Sequence, residues 1–317
     1  MSEINQMYLS SAFTERAAEE LEFLGEVHDR MGFSLSWVDI VRPLLDETRA
    51  RTLLEIGAYE GEHTRWLLRY CEAVDGQLIV VEPDVRSPLL RLVEASGRVR
   101  IMAEISRTAL PKISTPVDSV LLEGDLNYET VLEDLRDIQG LSRRLSTRLP
   151  LVVFPNAGWP YARRDMYYDP ARLPSSARHE YARMGMSPWS RTLEPGMINH
   201  PFANATVEGG PRNGVLTAAE DFVARADGKL RLFALPVNHG LGIIYLAGSR
   251  EETFILANLV PPPALARFLE TWELARLNTI VSGLRARRDR ELRSGPRAWI
   301  ARQVRRIGRR LIARIES

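Results

Sequence analysis

The stretch that most limits the fold is Leu53-Leu54-Glu55-Ile56-Gly57-Ala58-Tyr59-Glu60-Gly61, with Leu78-Ile79-Val80-Val81-Glu82 about twenty residues later. An apolar run ends in an acid, a glycine turn opens a helix, and a second apolar run ends in another acid. That order suits a nucleoside-bearing cofactor lying across the carboxyl ends of two parallel strands. Gly57 and Gly61 carry no side chain, so the turn can be tight and a ligand can approach the backbone closely. Glu82 then stands where an acid accepts hydrogen bonds from two ribose hydroxyls.

The glycine spacing separates two cofactor classes. A dinucleotide fingerprint reads G-x-G-x-x-G, with a helix N-terminus aimed at pyrophosphate. Here the pattern is E-x-G-x-x-x-G, and Glu55 would repel that anion. An acid at this position suits a cationic ligand. Glu55-Ile56-Gly57-Ala58-Tyr59-Glu60-Gly61 resembles the first motif of class I S-adenosylmethionine-dependent methyltransferases, and Glu82 resembles their ribose-binding acid. The resemblance covers about residues 50–250 and implies S-adenosylmethionine as cofactor, held by Glu55, Gly57, Gly61 and Glu82. In related folds the end of the third strand lies near the adenine ring, which adds Glu104 and Ser106.

The rest of the chain supplies the matching layout. Strands are expected near 51–56, 77–82, 98–102, 117–123 and 149–154, separated by gaps long enough for crossover helices. Helical patterning returns at Thr217 to Arg225. Arg231 to Pro236 and Gly240 to Ala247 read as a hairpin turned at Val237-Asn238-His239, with one strand antiparallel to the rest. The expected fold class is α/β: a Rossmann-like doubly wound, mostly parallel sheet with a C-terminal antiparallel hairpin. N-terminal helices precede it, over 12–30 (Phe13, Ala17, Leu21, Leu24) and from Trp37 to Leu45, and a basic C-terminal helix follows. The expected divisions are a helical lead-in over 1–50, a methyltransferase-like domain over 51–250 with an insertion over 155–215, a helical extension over 251–283 and a basic helix over 284–317.

The fourth strand ends in Glu123-Gly124-Asp125-Leu126-Asn127-Tyr128-Glu129, which resembles the D-G-D-H-x-Y-E segment of a group that includes macrolide-sugar O-methyltransferases and glycan-cluster methyltransferases. In metal-dependent members the leading acid binds a divalent ion and the histidine is the base. This chain has Glu123 for the leading aspartate, Leu126 for the histidine, and Pro155-Asn156 where an H-D pair is usual. These oxygens give few fixed ligands for a hard cation, so no metal is expected; were one bound, Glu123 and Asn156 would hold it. The expected reaction is methyl transfer to a hydroxyl of a sugar, glycan or other polar small molecule, with Asp125, Glu123 and Asn156 facing the acceptor. The alternative is a catalytically degenerate relative that serves as a binding partner or scaffold in a biosynthetic complex.

Residues 155–215 are too long for a simple connection, and they follow the fifth strand, so they should rise from the ligand-binding edge. They are read as a substrate-binding lid. Trp159, Tyr161, Tyr167 and Tyr168 are the expected stacking residues, and Arg163 and Arg164 are placed to hold a phosphate or carboxylate. Of the histidines, His179 and His200 are candidate bases, while His63 is expected to touch the cofactor or cap the helix after the glycine turn. His239 and His28 read as structural.

Charge separates the ends of the molecule. From Leu284 to Ser317 twelve arginines face three acids, so the net +1 of the chain divides into +9 here and −8 before it. Trp299, Ile300, Val304, Ile307, Leu311 and Ile315 recur at helical spacing among these arginines, which describes a helix for an anionic membrane surface or a protein partner. Nucleic acid is not an expected partner, because the body is acidic and no nucleic-acid module accompanies the tail. A single cysteine, Cys71, excludes an internal disulfide and is expected to pack a helix. With no signal-peptide pattern and no long apolar run, the expected location is cytoplasmic, with peripheral membrane contact through the tail.

Overall fold

The apolar runs read from the sequence become the inner strands of one sheet. The computed structural model describes residues 36–294. The 12–30 helix, His28 and the stretch from 295 onward lie outside those residues.

A π-helical turn, Trp37–Val41, leads into α1, Arg42–Thr48. The alternation follows: β1 Thr52–Ile56, α2 Glu62–Val74, β2 Gln77–Val81, α3 Ser87–Ala95, β3 Val99–Met102, the short α4 Ser106–Ala109, β4 Ser119–Leu122, α5 Tyr128–Arg144 and β5 Leu151–Pro155. Five short strands occupy the long segment after β5: β6 Met166–Tyr167, β7 Tyr181–Ala182, β8 Gly185–Ser187, β9 Ser190–Glu194 and β10 Ala203–Ala205. The chain then closes with α6 Val215–Ala224, β11 Leu230–Leu235, β12 Leu241–Leu246, α7 Arg250–Asn258 and α8 Pro263–Ser294.

The main sheet runs β3-β2-β1-β4-β5-β12-β11. Pairings from β3 through β5 are parallel, and β12 lies antiparallel to both β5 and β11. This is the Rossmann-like sheet with a closing hairpin that the strand pattern predicts. Alternate residues of each inner strand enter opposite layers: Leu54, Val120 and Val152 pack with α5 and α6, while Leu53, Leu121 and Val153 pack with α1, α2 and α7. Burial on both faces explains why these strands read as continuous apolar runs rather than alternating ones. Cys71 sits in the second layer, and burial pushes its thiol up to about 12, as suits a packing residue.

Local chemistry starts the helices where the sheet needs them. Asn127 caps α5 by accepting from the Thr130 N–H at 2.9 Å, and Arg143 and Arg144 lie in its last turn, where cations complement the helix dipole. At the other end, α8 continues through Leu284 without a break, so the charge boundary at 284 falls inside one helix. Leu277 and Val281 of that helix pack on Met197 and Ile198 of the long segment, and Arg288 donates to the Pro195 carbonyl at 3.2 Å. Glu273 accepts from the backbone N–H groups of Asn238 and His239, each at 3.0 Å. Thus α8 ties the β11–β12 turn to the insertion. No helix among the described residues is long and apolar enough to cross a membrane.

Candidate functional site

The carboxyl ends of β1, β2, β4 and β5 lie at one edge of the parallel sheet, beside the glycine turn. Gly57 has φ of 84°, and a Cβ there would lie 2.4 Å from the Glu123 carbonyl oxygen. Any side chain would drive the ends of β1 and β4 apart, so glycine is required sterically as well as conformationally. Its N–H donates to the Val81 carbonyl at 2.9 Å, which ties the turn to β2. Gly61, with φ of 87°, then hands the chain to α2.

Glu82 locks this turn. Its Oε2 accepts from the backbone N–H groups of Ala58 at 3.0 Å and Tyr59 at 2.8 Å, and Oε1 accepts from Asp84 at 2.8 Å. An ionised carboxylate has about four lone-pair sites. Glu82, the acid expected to meet the ribose, therefore holds the backbone and retains capacity for one further donor.

Glu55 is buried beneath the turn. Its Oε2 accepts from the Thr64 hydroxyl at 2.6 Å, while Oε1 is buried without a partner. Burial raises its pKa to about 7, against the opposing pull of the Thr64 hydrogen bond and His63. A cation bound beside such an acid would favour its ionised form.

His63, on the first turn of α2, points its Nδ1 at the Glu123 Oε2 across 2.7 Å. Burial opposes the imidazolium, but the Glu123 charge, the hydrogen bond and Glu55 together hold its pKa above the ordinary value. Of the two roles expected of His63, cofactor contact or capping, the second is corrected: Gly61 is the N-cap of α2, and His63 is the ion-pair partner of the acid that follows β4.

Asp125 is half-buried beyond Gly124. Burial raises its pKa, although the Thr130 hydroxyl, 3.3 Å from Oδ2, and Arg172 favour the carboxylate. Asn156 follows β5 in a left-handed conformation, φ 63°, with its side-chain carbonyl buried and unpartnered. Asp134 lies beneath the same edge, hydrogen-bonded to Ser106, and burial pushes its pKa to about 7. Leu126 is buried and packs in the core, so no titrating group occupies the position of the histidine.

These donors do not fit a hard divalent cation. Glu123 is engaged by His63, Pro155 offers no ligand, and Asn156 supplies one neutral oxygen. Among the described residues no group of three or more His, Cys, Asp or Glu side chains is placed to hold a metal.

The residues expected near adenine have protein partners. Glu104 pairs with Lys112, and hydrogen bonds from Lys112 and Thr108 hold its carboxyl below the usual range. Ser106 faces Asp134.

The insertion residues divide more sharply. Tyr161 is fully buried, its hydroxyl donating to Asn204 Oδ1 at 3.0 Å and accepting from Asn199 at 2.8 Å. Arg164 is 1% exposed and donates to the carbonyls of Ala205 and Arg191 and to Glu208. Arg163 makes a two-pronged pair with Glu220, at 2.5 and 2.7 Å. The two arginines expected to hold an anion are therefore paired within the chain, Arg164 in its interior and Arg163 at its surface. Tyr167 is buried and donates to Asp165 Oδ2 at 2.9 Å, and Trp159 is half-buried against α8. Tyr168 alone of the expected stacking residues is widely exposed, at 55%.

Asp165 is the residue that sequence reasoning missed. Wholly buried, it accepts from the N–H groups of Tyr128 at 2.7 Å and Gly214 at 2.8 Å, besides Tyr167. It joins the start of α5, the start of α6 and β6 at one point. Its flanks, Arg164 and Met166, form no recognisable motif. The His63–Glu123 contact is simpler in origin, since β1 and β4 are neighbours in the sheet and His63 stands two residues after Gly61.

Residues 54–147 match a family model described as a methyltransferase domain. The matched segment contains Glu55, Gly57, Gly61, Glu82, Glu123 and Asp125, and it ends before the insertion. Among solved structures, the chain is similar to the SAH-bound methyltransferase PaMTH1 of Podospora anserina, at 14% identity and a TM-score of 0.43, over 78% of this chain and 97% of that one. It is also similar to an O-methyltransferase from Bacillus cereus in complex with SAH, at 14% identity and a TM-score of 0.40, over 65% of this chain and 78% of that one. No curated protein matches the chain significantly.

Proposed function

We propose that the chain is an S-adenosylmethionine-dependent methyltransferase acting on a hydroxyl of a sugar or other polar small molecule. The observation that carries this reading is the acid-lined glycine turn, in which Glu55 keeps one buried oxygen unpartnered and Glu82 and Glu123 stand at the adjacent strand ends. A cationic nucleoside fits such a site, and the pyrophosphate of a dinucleotide does not. The methyltransferase-domain match over 54–147 supports the same reading.

When bound, the cofactor supplies a methyl group already activated by positive sulfur. The chain's residues then bind, align and manage one proton. Gly57 and Gly61 admit the ligand to the backbone, Glu82 offers its remaining lone-pair site to a ribose hydroxyl, and Glu55 balances positive charge. The acceptor hydroxyl would sit near Asp125, whose carboxylate takes the proton; its raised pKa brings it closer to working pH as a base. Alignment of acceptor oxygen, methyl carbon and sulfur supplies most of the acceleration.

A second reading, a cofactor-binding partner without catalysis, is favoured by one observation: the buried, apolar Leu126 at the position of the base. Transfer of labelled methyl to hydroxylated glycosides separates the two. Turnover that falls at least tenfold in Asp125→Asn supports the enzyme. Cofactor binding with no transfer supports the partner.

A further inference from the structure

On α8, away from the face that packs on the insertion, Leu265, Phe268 and Trp272 recur at i, i+3 and i+7 and are 47%, 61% and 51% exposed. That spacing sets three large apolar side chains on one flank of the helix. Leu269 lies beside them, and with Phe268, Trp272, Val237 and Asn238 it lines a groove of about 380 Å³. Exposed apolar surface of this extent marks an interaction site, and such spacing is the pattern by which one helix receives another.

The groove lies on the side of the sheet where the chain enters the described residues. Trp37 belongs to the layer built with Ile255 of α7, and Phe233 and Leu235 of β11 pack half-buried against that layer. Val237 follows at the same two-residue spacing and lines the groove. Thirty-five residues precede Ser36, and within them Phe13, Ala17, Leu21 and Leu24 recur at helical spacing. Residues 31–36 alone span up to about 20 Å, or two helix diameters, enough to carry residues 12–30 past α1 and α7. Tethering makes the contact intramolecular, at an effective concentration on the order of millimolar.

Charge selects among the candidate occupants. Residues 1–35 hold seven acids and two arginines, a net −5, whereas residues 263–294 hold seven arginines and four acids, a net +3. A helix over 12–30 is about as long as α8 from Leu265 to Arg285, so it spans from the apolar stripe to the arginines that follow. Complementary potentials favour that contact. The arginine-rich stretch after 294 repeats the sign of α8, and so does a second copy of α8 laid on the first; like charges brought together oppose docking.

We infer that the groove between the Val237-Asn238 turn and α8 is the docking site of the chain's own residues 12–30, whose apolar stripe lies against Phe268 and Trp272. The contact braces one end of the sheet. Glu273 of α8 accepts from the Asn238 and His239 N–H groups, and the His239 carbonyl accepts from Gly158 at 2.7 Å, two residues beyond Asn156. A strap on α8 thus bears on the turn that backs Asn156. The inference stands independently of the methyl-transfer reading.

The test is thiol cross-linking in the full chain. Ala18→Cys is combined in turn with Ala264→Cys and Ala275→Cys, exposed positions at the two ends of the stripe that leave its large side chains intact. Cys71 is buried and does not compete. A flexible bis-maleimide is expected to join residue 18 to 264 or 275 within one chain, as read by peptide mass spectrometry. Adding Leu21→Asp or Trp272→Asp should lower the yield about tenfold, the scale of losing one buried apolar side chain, with the fold retained by circular dichroism. Links found only between chains, in a mixture of isotope-labelled and unlabelled protein, would overturn the proposal in favour of a second copy. So would no link at either position in folded protein whose thiols react singly, or a link that both aspartates leave unchanged. Shielding of the 264 and 275 thiols by anionic vesicles, with no link in their absence, would overturn it in favour of a lipid surface.

Discussion

The glycine turn and the insertion contain the same kinds of residue, and they use them in opposite ways. Around the turn, buried side chains keep capacity in reserve: Glu55 has an unpartnered oxygen, Glu82 retains one lone-pair site, and Asn156 has an unmatched carbonyl. In the insertion, Asp165 and Asn204 place their hydrogen bonds on backbone groups and on the Tyr167 and Tyr161 hydroxyls, and Arg164 holds two carbonyls and Glu208 through its terminal nitrogens, with its Nε left buried and unpartnered. A buried polar group with all its partners is framework. One left short is costly to fold and makes sense where a ligand completes it. Residue type alone therefore does not tell binding from support.

The sharpest way to break this contrast is to remove the hub of the insertion. Asp165→Ala would orphan the N–H groups of Tyr128 and Gly214 and the Tyr167 hydroxyl. We expect a loss of about 3–5 kcal/mol in urea unfolding, at roughly 1–3 kcal/mol per unsatisfied buried donor with incomplete additivity. A loss below about 1 kcal/mol would remove Asp165 from the framework.

Next in size is Glu82→Ala. Removing a charged acceptor should weaken S-adenosylmethionine binding by about 1–3 kcal/mol, as measured by calorimetry. Part of that loss reflects a looser turn, since Ala58 and Tyr59 lose their acceptor. Glu82→Gln, which keeps one acceptor oxygen, should fall between wild type and alanine. Equal affinity in all three would place the cofactor elsewhere.

A smaller effect should appear with pH. Burial holds the folded pKa of Glu55 near 7, above its ordinary 4.5. Its contribution to stability is therefore complete below about pH 4.5 and lost as pH rises through about 7. A bound cation favours the ionised form, so affinity for S-adenosylmethionine should rise between pH 5.5 and 7.5, by up to about tenfold per unit on the acid side. Glu55→Gln should flatten that rise. An identical slope in the variant would mean that another group controls it.

The smallest effect is expected where a sequence reader would look first. Arg163→Ala removes a half-exposed pair with Glu220, worth about 0–1 kcal/mol, and should leave methyl transfer unchanged. A large loss of transfer would return Arg163 to the acceptor site.

Much of the fold was legible because its signals are local. Apolar runs such as Leu78 to Val81, ended by an acid, marked parallel strands to within a few residues, and the Val237-Asn238-His239 turn marked the hairpin. The insertion was not legible in this way. Strands of two to five residues, such as Met166–Tyr167, are too short for periodicity, and β6 meets its partner β10 only across more than thirty residues. The site followed the same division. Glu55, Gly57, Gly61 and Glu82 are fixed by spacing along one βαβ unit. Asp165 acquires its role only when distant segments meet, and aromatic or basic character did not distinguish the exposed Tyr168 from the buried Tyr161.

The most direct measurement is calorimetric titration of the full chain with S-adenosylmethionine and, separately, with NAD at pH 7.5. The account predicts one site for S-adenosylmethionine, weakened in Glu82→Ala, and no binding of NAD. Saturable binding of NAD, or no binding of S-adenosylmethionine to folded protein, would contradict it.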